Sequence, residues 1–396
     1  MVPRAASRDS PPEFACGLGE IDVLLHMDDE HAIEDTARGS IRPVISVFTR
    51  RVRSRGAESA DHAGEKHTLK DTALVLPKPE DLRPFQRPSV GGSLWQITNS
   101  VVPYLALWVL MVQTIQFSYA LTLLLAVVAS AFLVRIFIIF HDCGHGSFFP
   151  SRRANEWVGF FTGMLTLTPH FEWWRNHALH HAQTGNLDKR GSGDVWTLTR
   201  EEYEASPRWR RLLYVVVRQP IFMLTVGPLL IFAYQGRFPG RNSRTRERRW
   251  IVVMNLALAV AVTALCLTIG WKTYLAIHVP IIIMAGAAGI WLFYVQHQFE
   301  DAYWEHDPDW DFQEAAVLGS SFYRLPSVLQ WFSGNIGFHH VHHLSPKIPN
   351  YRLEACHRRF RAFDCAPVLT VRSSMKSLGL RVWDTRRRKM VGWHSD

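Results

Sequence analysis

The sequence predicts an all-α integral membrane protein: four transmembrane helices in two hairpins, interfacial helices between them, and a histidine-lined cap on the cytoplasmic side. Three observations predict it. Four stretches are almost free of charge and long enough, as helices, to cross about 30 Å of hydrocarbon. Aromatic and arginine residues gather where those stretches stop, as they do at lipid–water boundaries. Histidines cluster at helical spacing, with one cluster at the end of the second stretch and a further histidine at the end of the fourth.

The first hairpin comprises residues 96–117, "QITNSVVPYLALWVLMVQTIQF", and 119–140, "YALTLLLAVVASAFLVRIFIIF", joined by a very short turn. The second comprises 251–270, "IVVMNLALAVAVTALCLTIG", and 274–295, "YLAIHVPIIIMAGAAGIWLFYV", joined by "WKT". Trp250, Trp271, Tyr274 and Trp291 lie near span ends as interfacial anchors. Arg237, Arg241, Arg244, Arg246, Arg248 and Arg249 crowd the loop before the second hairpin, which the positive-inside rule makes cytoplasmic, together with both chain ends. Residues 157–168 are too short to span. Residues 212–234 are long enough, but Arg218, Gln219, Pro220 and Pro228 interrupt them.

Outside the spans, residues 1–85 are polar and without period, and read as a disordered extension ended by the proline-marked "PKPEDLRPFQRP". Its basic piece "VFTRRVRSR" reads as a solvated charge run. Residues 86–372 form the membrane domain and 373–396 a basic tail. No apolar core of signal-peptide length opens the chain, so insertion is expected to rely on the internal spans. The net charge of +9 flanks apolar blocks and forms no isolated basic module, which suits anionic headgroups and argues against nucleic acid. Five cysteines form no CxxC, so reduced thiols are expected.

Of 19 histidines, ten fall in four places. "HDCGH" holds His141 and His145; "HALHH" holds His177, His180 and His181; "VQHQFED" holds His297; "HHVHH" holds His339, His340, His342 and His343. Residues three and four apart share a helix face, so each cluster aims two or three ring nitrogens at one point. Protonated clusters would repel, and neutral imidazoles held by metal resolve the conflict. If the clusters converge, two spans precede the first and two more separate the second from the last. All of them then lie on one side of the bilayer, and 212–234 must be interfacial or re-entrant.

Counting His141, His145, His177, His180, His181, His297, His339, His342 and His343 gives nine candidate ligands, too many for one tetrahedral zinc and suited to two metals with open positions. Imidazole alone suits zinc, iron, copper or nickel. The clusters offer no pair of bridging carboxylates for a hydrolytic centre, whereas two irons offer redox change and oxygen activation. Asp142, Asp188, Asp194, Glu300 and Asp301 are candidates to accept imidazole N–H groups, or else to pair with nearby arginine and lysine. His278 reads as a packed side chain, His26, His31, His62 and His67 as solvated, and His170, His306 and His357 carry no assignment.

"HDCGHGSFF", "WRNHALHHAQTGNLD", "FYVQHQFEDAYW" and "GFHHVHHLSPKIPNYRLEACH" together resemble the membrane fatty acid desaturases, and within them the acyl-lipid Δ12 (omega-6) type, from about Pro77 to Arg372. The resemblance implies a di-iron centre, molecular oxygen, and electrons from a ferredoxin-like or cytochrome-type carrier. It further implies removal of two vicinal hydrogens from a lipid-linked acyl chain in a kinked apolar tunnel. The eight box histidines carry over as ligands, His297 matches an isolated extra ligand, and His340 occupies a variable, non-ligand position. A hydroxylase of the same superfamily, or a desaturase of Δ9 or omega-3 regiospecificity, would share this pattern. No haem-binding His-Pro-Gly-Gly is present, so the reductant is expected to be a separate protein.

Overall fold

The structure, a computed structural model, describes residues 75–191 and 193–393. His26, His31, His62, His67, Cys16 and the basic piece at 47–55 lie outside the described residues. The main helices in chain order are α1 Val90–Thr114, α2 Tyr119–His145, α3 Arg152–Leu165, α4 His170–Gln183, α5 Arg208–Val217, α6 Thr245–Ile269, α7 Trp271–His297, α8 His339–Leu344 and α9 Asn350–Arg359. α1, α2, α6 and α7 are each long and apolar enough to cross a membrane. The chain is a membrane protein of the expected class.

Local chemistry fixes the ends. Ser89, Ser118 and Ser151 each accept a backbone N–H of the turn they cap, at the starts of α1, α2 and α3. Gly146 ends α2 in the left-handed conformation (φ 63°), immediately after His145. All four helices depart from the apolar runs by several residues. α2 continues as helix through His141 and His145, and α6 begins at Thr245 among arginines, because backbone hydrogen bonds need no apolar side chain to propagate. "WKT" is not a loop: Gly270 alone (φ 84°) makes the turn and Trp271 opens α7.

Tyr104 and Met111 of α1, Ala129, Leu133 and Ile136 of α2, and Ile277 and Ile281 of α7 form the core within the membrane. α6 stands outside it with Leu256, Val260 and Leu267 exposed, a face suited to lipid.

Residues 208–237 do not make a regular span. α5 is followed by π-helical turns at Phe222–Val226 and Leu229–Tyr234, with a bend of 65° after α5. A side chain on Gly286 of α7 would come within 2.6 Å of Pro228 Cβ, so this segment rests on α7 at a glycine. A net crossing here would put His297 on the opposite face from α4, yet His297 Nε2 lies 3.2 Å from His180 Nε2. The segment therefore enters and leaves on one side.

Arg218, 2% exposed, donates to Gln298 Oε1 (2.9 Å) and Trp196 O (3.2 Å) between the rings of Tyr214 and Tyr294. Its carbonyl and amide partners explain how a cation sits at this elbow.

Two expected boundaries move. The fold begins before residue 86: Pro79–Leu82 is a helical turn, and Leu82 packs with Phe338, Val341 and Leu353. Residues 373–393 are not a free basic tail. β3 Val382–Asp384 and β4 Lys389–Val391 form an antiparallel hairpin, numbered after β1 Phe322–Arg324 and β2 Val368–Thr370, which pair in parallel. Trp383 and Met390 are buried against Leu187, Phe299 and Trp304, Trp383 N–H donates to Leu198 O (3.0 Å), and Arg388 pairs with Glu305. The basic residues Arg386, Arg387 and Lys389 are exposed around the turn between the two buried strands, whereas Arg381 is buried with β3.

Candidate metal centre

The last turns of α2 present His141 and His145, α4 presents His177, His180 and His181, the end of α7 presents His297, and α8 presents His339, His342 and His343. Each is the i, i+3 or i, i+4 face expected from spacing. The structure brings all nine together in two groups. His141, His145, His177, His181 and His342 form one; His180, His297, His339 and His343 form the other, and within each group one donor atom per residue lies within 4.8 Å of the rest.

In the first group His181 Nε2 is 3.1 Å from His177 Nε2 and 3.0 Å from His342 Nε2. In the second, His297 Nε2 lies 3.2 Å from His180 Nε2 and 2.9 Å from His339 Nε2, which is 3.1 Å from His343 Nε2. A neutral imidazole nitrogen either donates one proton or offers one lone pair, so a central Nε2 cannot satisfy two such neighbours at once. A shared cation satisfies all of them. With metal–nitrogen bonds of roughly 2.1 Å, ligands at right angles are about 3.0 Å apart, the spacing found. Burial, and then the neighbouring imidazoles, pushes the pKa of His177, His181, His339, His342 and His343 well below the ordinary 6.5. The rings are neutral at neutral pH, as metal binding needs.

The outward-facing nitrogens are held from behind. His141 Nδ1 lies 3.0 Å from Asp142 Oδ1, His180 Nδ1 is hydrogen-bonded to Asp194 Oδ1, and His297 Nδ1 is 3.3 Å from Gly319 O. These contacts place the proton on Nδ1 and the lone pair on Nε2. Of the five acidic candidates, Asp142 and Asp194 reach grouped histidines. Asp188 instead meets His306 Nδ1 (2.8 Å), and Glu300 and Asp301 lie near Lys389 (3.7 and 3.2 Å), the alternative reading.

Two contributors escaped the sequence reading. Asp142 Oδ2 accepts both the backbone N–H (2.7 Å) and side-chain amide (2.8 Å) of Asn350, whose Oδ1 accepts from Gln96 Nε2 (3.1 Å). All three side chains are buried, so the network ties α2, α9 and α1 behind His141. Trp174 is the second: its indole donates to Phe140 O (3.1 Å) and fills the space over Gly144 and Gly159. The glycine inside "HDCGH" hinted at a close approach, whereas a lone Asn or Gln carries no spacing signal.

Among the described residues, the other histidines stand apart from both groups. His340 is fully buried with its Nε2 3.0 Å from His357 Nδ1, outside both histidine groups. His170 packs among Phe160, Trp174 and Trp250, and His278 stacks on Tyr274.

Residues 117–374 match the family described as Fatty acid desaturase. The chain is 46% identical over 311 residues to a "Fatty acid desaturase" of Bacillus subtilis (strain 168), covering 78% of this chain and 88% of that protein. It is 29% identical over 232 residues to a "sn-1 acyl-lipid omega-3 desaturase (ferredoxin)" of Synechocystis sp., covering 55% of this chain and 61% of the relative. It is 27% identical over 236 residues to a "sn-1 oleoyl-lipid 12-desaturase" of the same organism, covering 57% and 64%. The helical membrane fold, the paired histidine groups and these relatives converge: the chain belongs to the fatty acid desaturase family, whose members are oxidoreductases.

Proposed function

We propose that the protein inserts a cis double bond into a lipid-linked acyl chain, at the Δ12 (omega-6) position. In this reading it uses dioxygen, electrons from a ferredoxin-like or cytochrome-type carrier, and two irons held by His141, His145, His177, His180, His181, His297, His339, His342 and His343. The carrying observation is the gathering of those nine histidines into a group of five and a group of four. Bound iron supplies the redox change and oxygen activation that zinc lacks.

The chain's own residues do the rest. Asp142, Asp194 and the Gly319 carbonyl orient three of the imidazoles. Trp173, stacked on His177 at 4.5 Å, and Phe293, 5.1 Å from both His180 and His297, make an apolar wall beside the nitrogens. That wall suits a methylene chain and excludes water. The arginines at 237–249 support a cytoplasmic placement for the histidines and both termini.

The Synechocystis relative named as an omega-3 desaturase supports a second position for the bond. Expression in a host rich in monounsaturated lipid, with mass spectrometry of the acyl chains, tests the reading. A new Δ12 bond supports it; an omega-3 bond selects the second position; a hydroxyl product overturns desaturation.

A further inference from the structure

Eight of the nine grouped histidines are at most 8% exposed; His145, at the end of α2, is the one that is partly exposed as a residue, with its ring Nε2 buried on the side of the other histidines. The four-histidine group has no such window, so electrons from a soluble carrier have their shortest route through the five-histidine group. The surroundings of that window are basic. Lys347 is exposed and donates from Nζ to the His145 carbonyl (3.0 Å). A side chain on Gly146 would approach Lys347 Nζ to 3.7 Å, so the lysine lies over the exposed glycine that follows the ligand.

A second basic segment reaches the same place from the other end of the chain. Gln86 Nε2 donates to Ser345 Oγ (3.0 Å), two residues before Lys347, and Arg352 Nη1 donates to Pro84 O (3.0 Å). Residues 83–87 are thereby fixed against the segment that carries Lys347, with Arg83 and Arg87 exposed. The acidic residues nearby are engaged: Glu80 lies 3.9 Å from Lys78 Nζ and Asp81 accepts the Lys78 backbone N–H (3.1 Å). Arg83, Arg87 and Lys347 have no carboxylate within ion-pair distance among the described residues.

We propose that this rim of Arg83, Arg87 and Lys347 is the docking surface of the electron donor, an acidic one-electron carrier protein, and that electrons enter through His145. The inference rests on the desaturase reading above. An acidic carrier fits because unpaired exposed cations raise the encounter rate of a partner of opposite charge, most strongly at low salt.

The test compares the unaltered full-length protein with the double variant Arg83→Glu/Arg87→Glu and, separately, Lys347→Glu. Desaturation is measured against the concentration of reduced [2Fe–2S] ferredoxin at low and at physiological salt. A second readout is a single turnover, in which enzyme reduced in advance without oxygen is then given oxygen. For the double variant, we expect the second-order rate with ferredoxin to fall roughly tenfold, with a flatter salt dependence. The single turnover of pre-reduced enzyme should be unchanged, because neither arginine touches the histidines. Unchanged ferredoxin dependence in both variants would overturn the docking surface. Failure of the unaltered, pre-reduced protein to form any double bond would overturn the desaturase reading on which it rests.

Discussion

Replacing Asp142 with Asn tests how the first histidine group is held. The carboxylate serves two clients: Oδ1 accepts from His141 Nδ1 at 3.0 Å, and Oδ2 accepts two N–H groups of Asn350 at 2.7 and 2.8 Å. An amide cannot replace it in either orientation. With its NH₂ toward Asn350, donors face donors; with its NH₂ toward His141, the imidazole must carry its proton on Nε2, where the lone pair is needed. Each orientation sacrifices at least one hydrogen bond to a charged group, worth about 1.5–3 kcal/mol. At about 1.4 kcal/mol per tenfold, that is roughly a 10- to 100-fold loss of affinity for the ion of the five-histidine group, in line with outer partners of other metal ligands. Iron remaining after dialysis against graded chelator is the assay. One of two irons should leave the variant at chelator concentrations roughly 10- to 100-fold lower than from the unaltered protein, while the other is retained. Identical retention curves would refute the orienting role of Asp142.

Other substitutions separate the roles of neighbouring residues. His180→Ala should abolish the unsaturated product while the protein still inserts in the membrane, scored by product analysis and membrane fractionation. His340→Gln should keep both irons and most activity, because His340 lies outside both groups and Gln can still bond to His357. Gly144→Ala would place a methyl 2.4 Å from the Trp174 ring, an overpacking that costs about 1–3 kcal/mol and pushes α4 off α2; thermal unfolding and iron content should both fall. The pH dependence has a fixed sign. Burial lowers the pKa of His177, His181, His339, His342 and His343 in the fold, so above the unfolded value near 6.5 they contribute no pH-dependent loss. As pH falls below about 6.5 the unfolded chain takes up protons that the native rings resist, and stability drops until the folded pKa is passed. Unfolding in chaotrope at stepped pH, on iron-free protein, should show this; stability that rises on acidification would contradict it.

The membrane architecture was legible because hydrocarbon imposes one blunt rule, about twenty apolar residues per crossing, and four runs obeyed it. Helix ends were less legible, since α2 and α6 carry on through polar residues. The gathering of the histidines was legible in the spacing within each cluster, and the requirement that clusters meet already forbade a crossing at 212–234. What the sequence could not display was whatever lacks period. Asn350 and Gln96 are single polar residues whose importance comes only from facing Asp142 across three helices. Arg218 read as a breaker of an apolar run, whereas its hydrogen bonds to Trp196 and Gln298 hold the elbow beside His297. The stretch "RRRK" masked the hairpin in which Trp383 and Met390 are buried, because charge per residue says nothing about which face each residue takes.

Metal analysis of purified, active protein tests the central claim most directly, with His343→Ala run beside it. Two irons per chain, falling to one in His343→Ala with the five-histidine group still loaded, is the expected result. Full desaturase activity in protein that contains only zinc, or no metal, would contradict it.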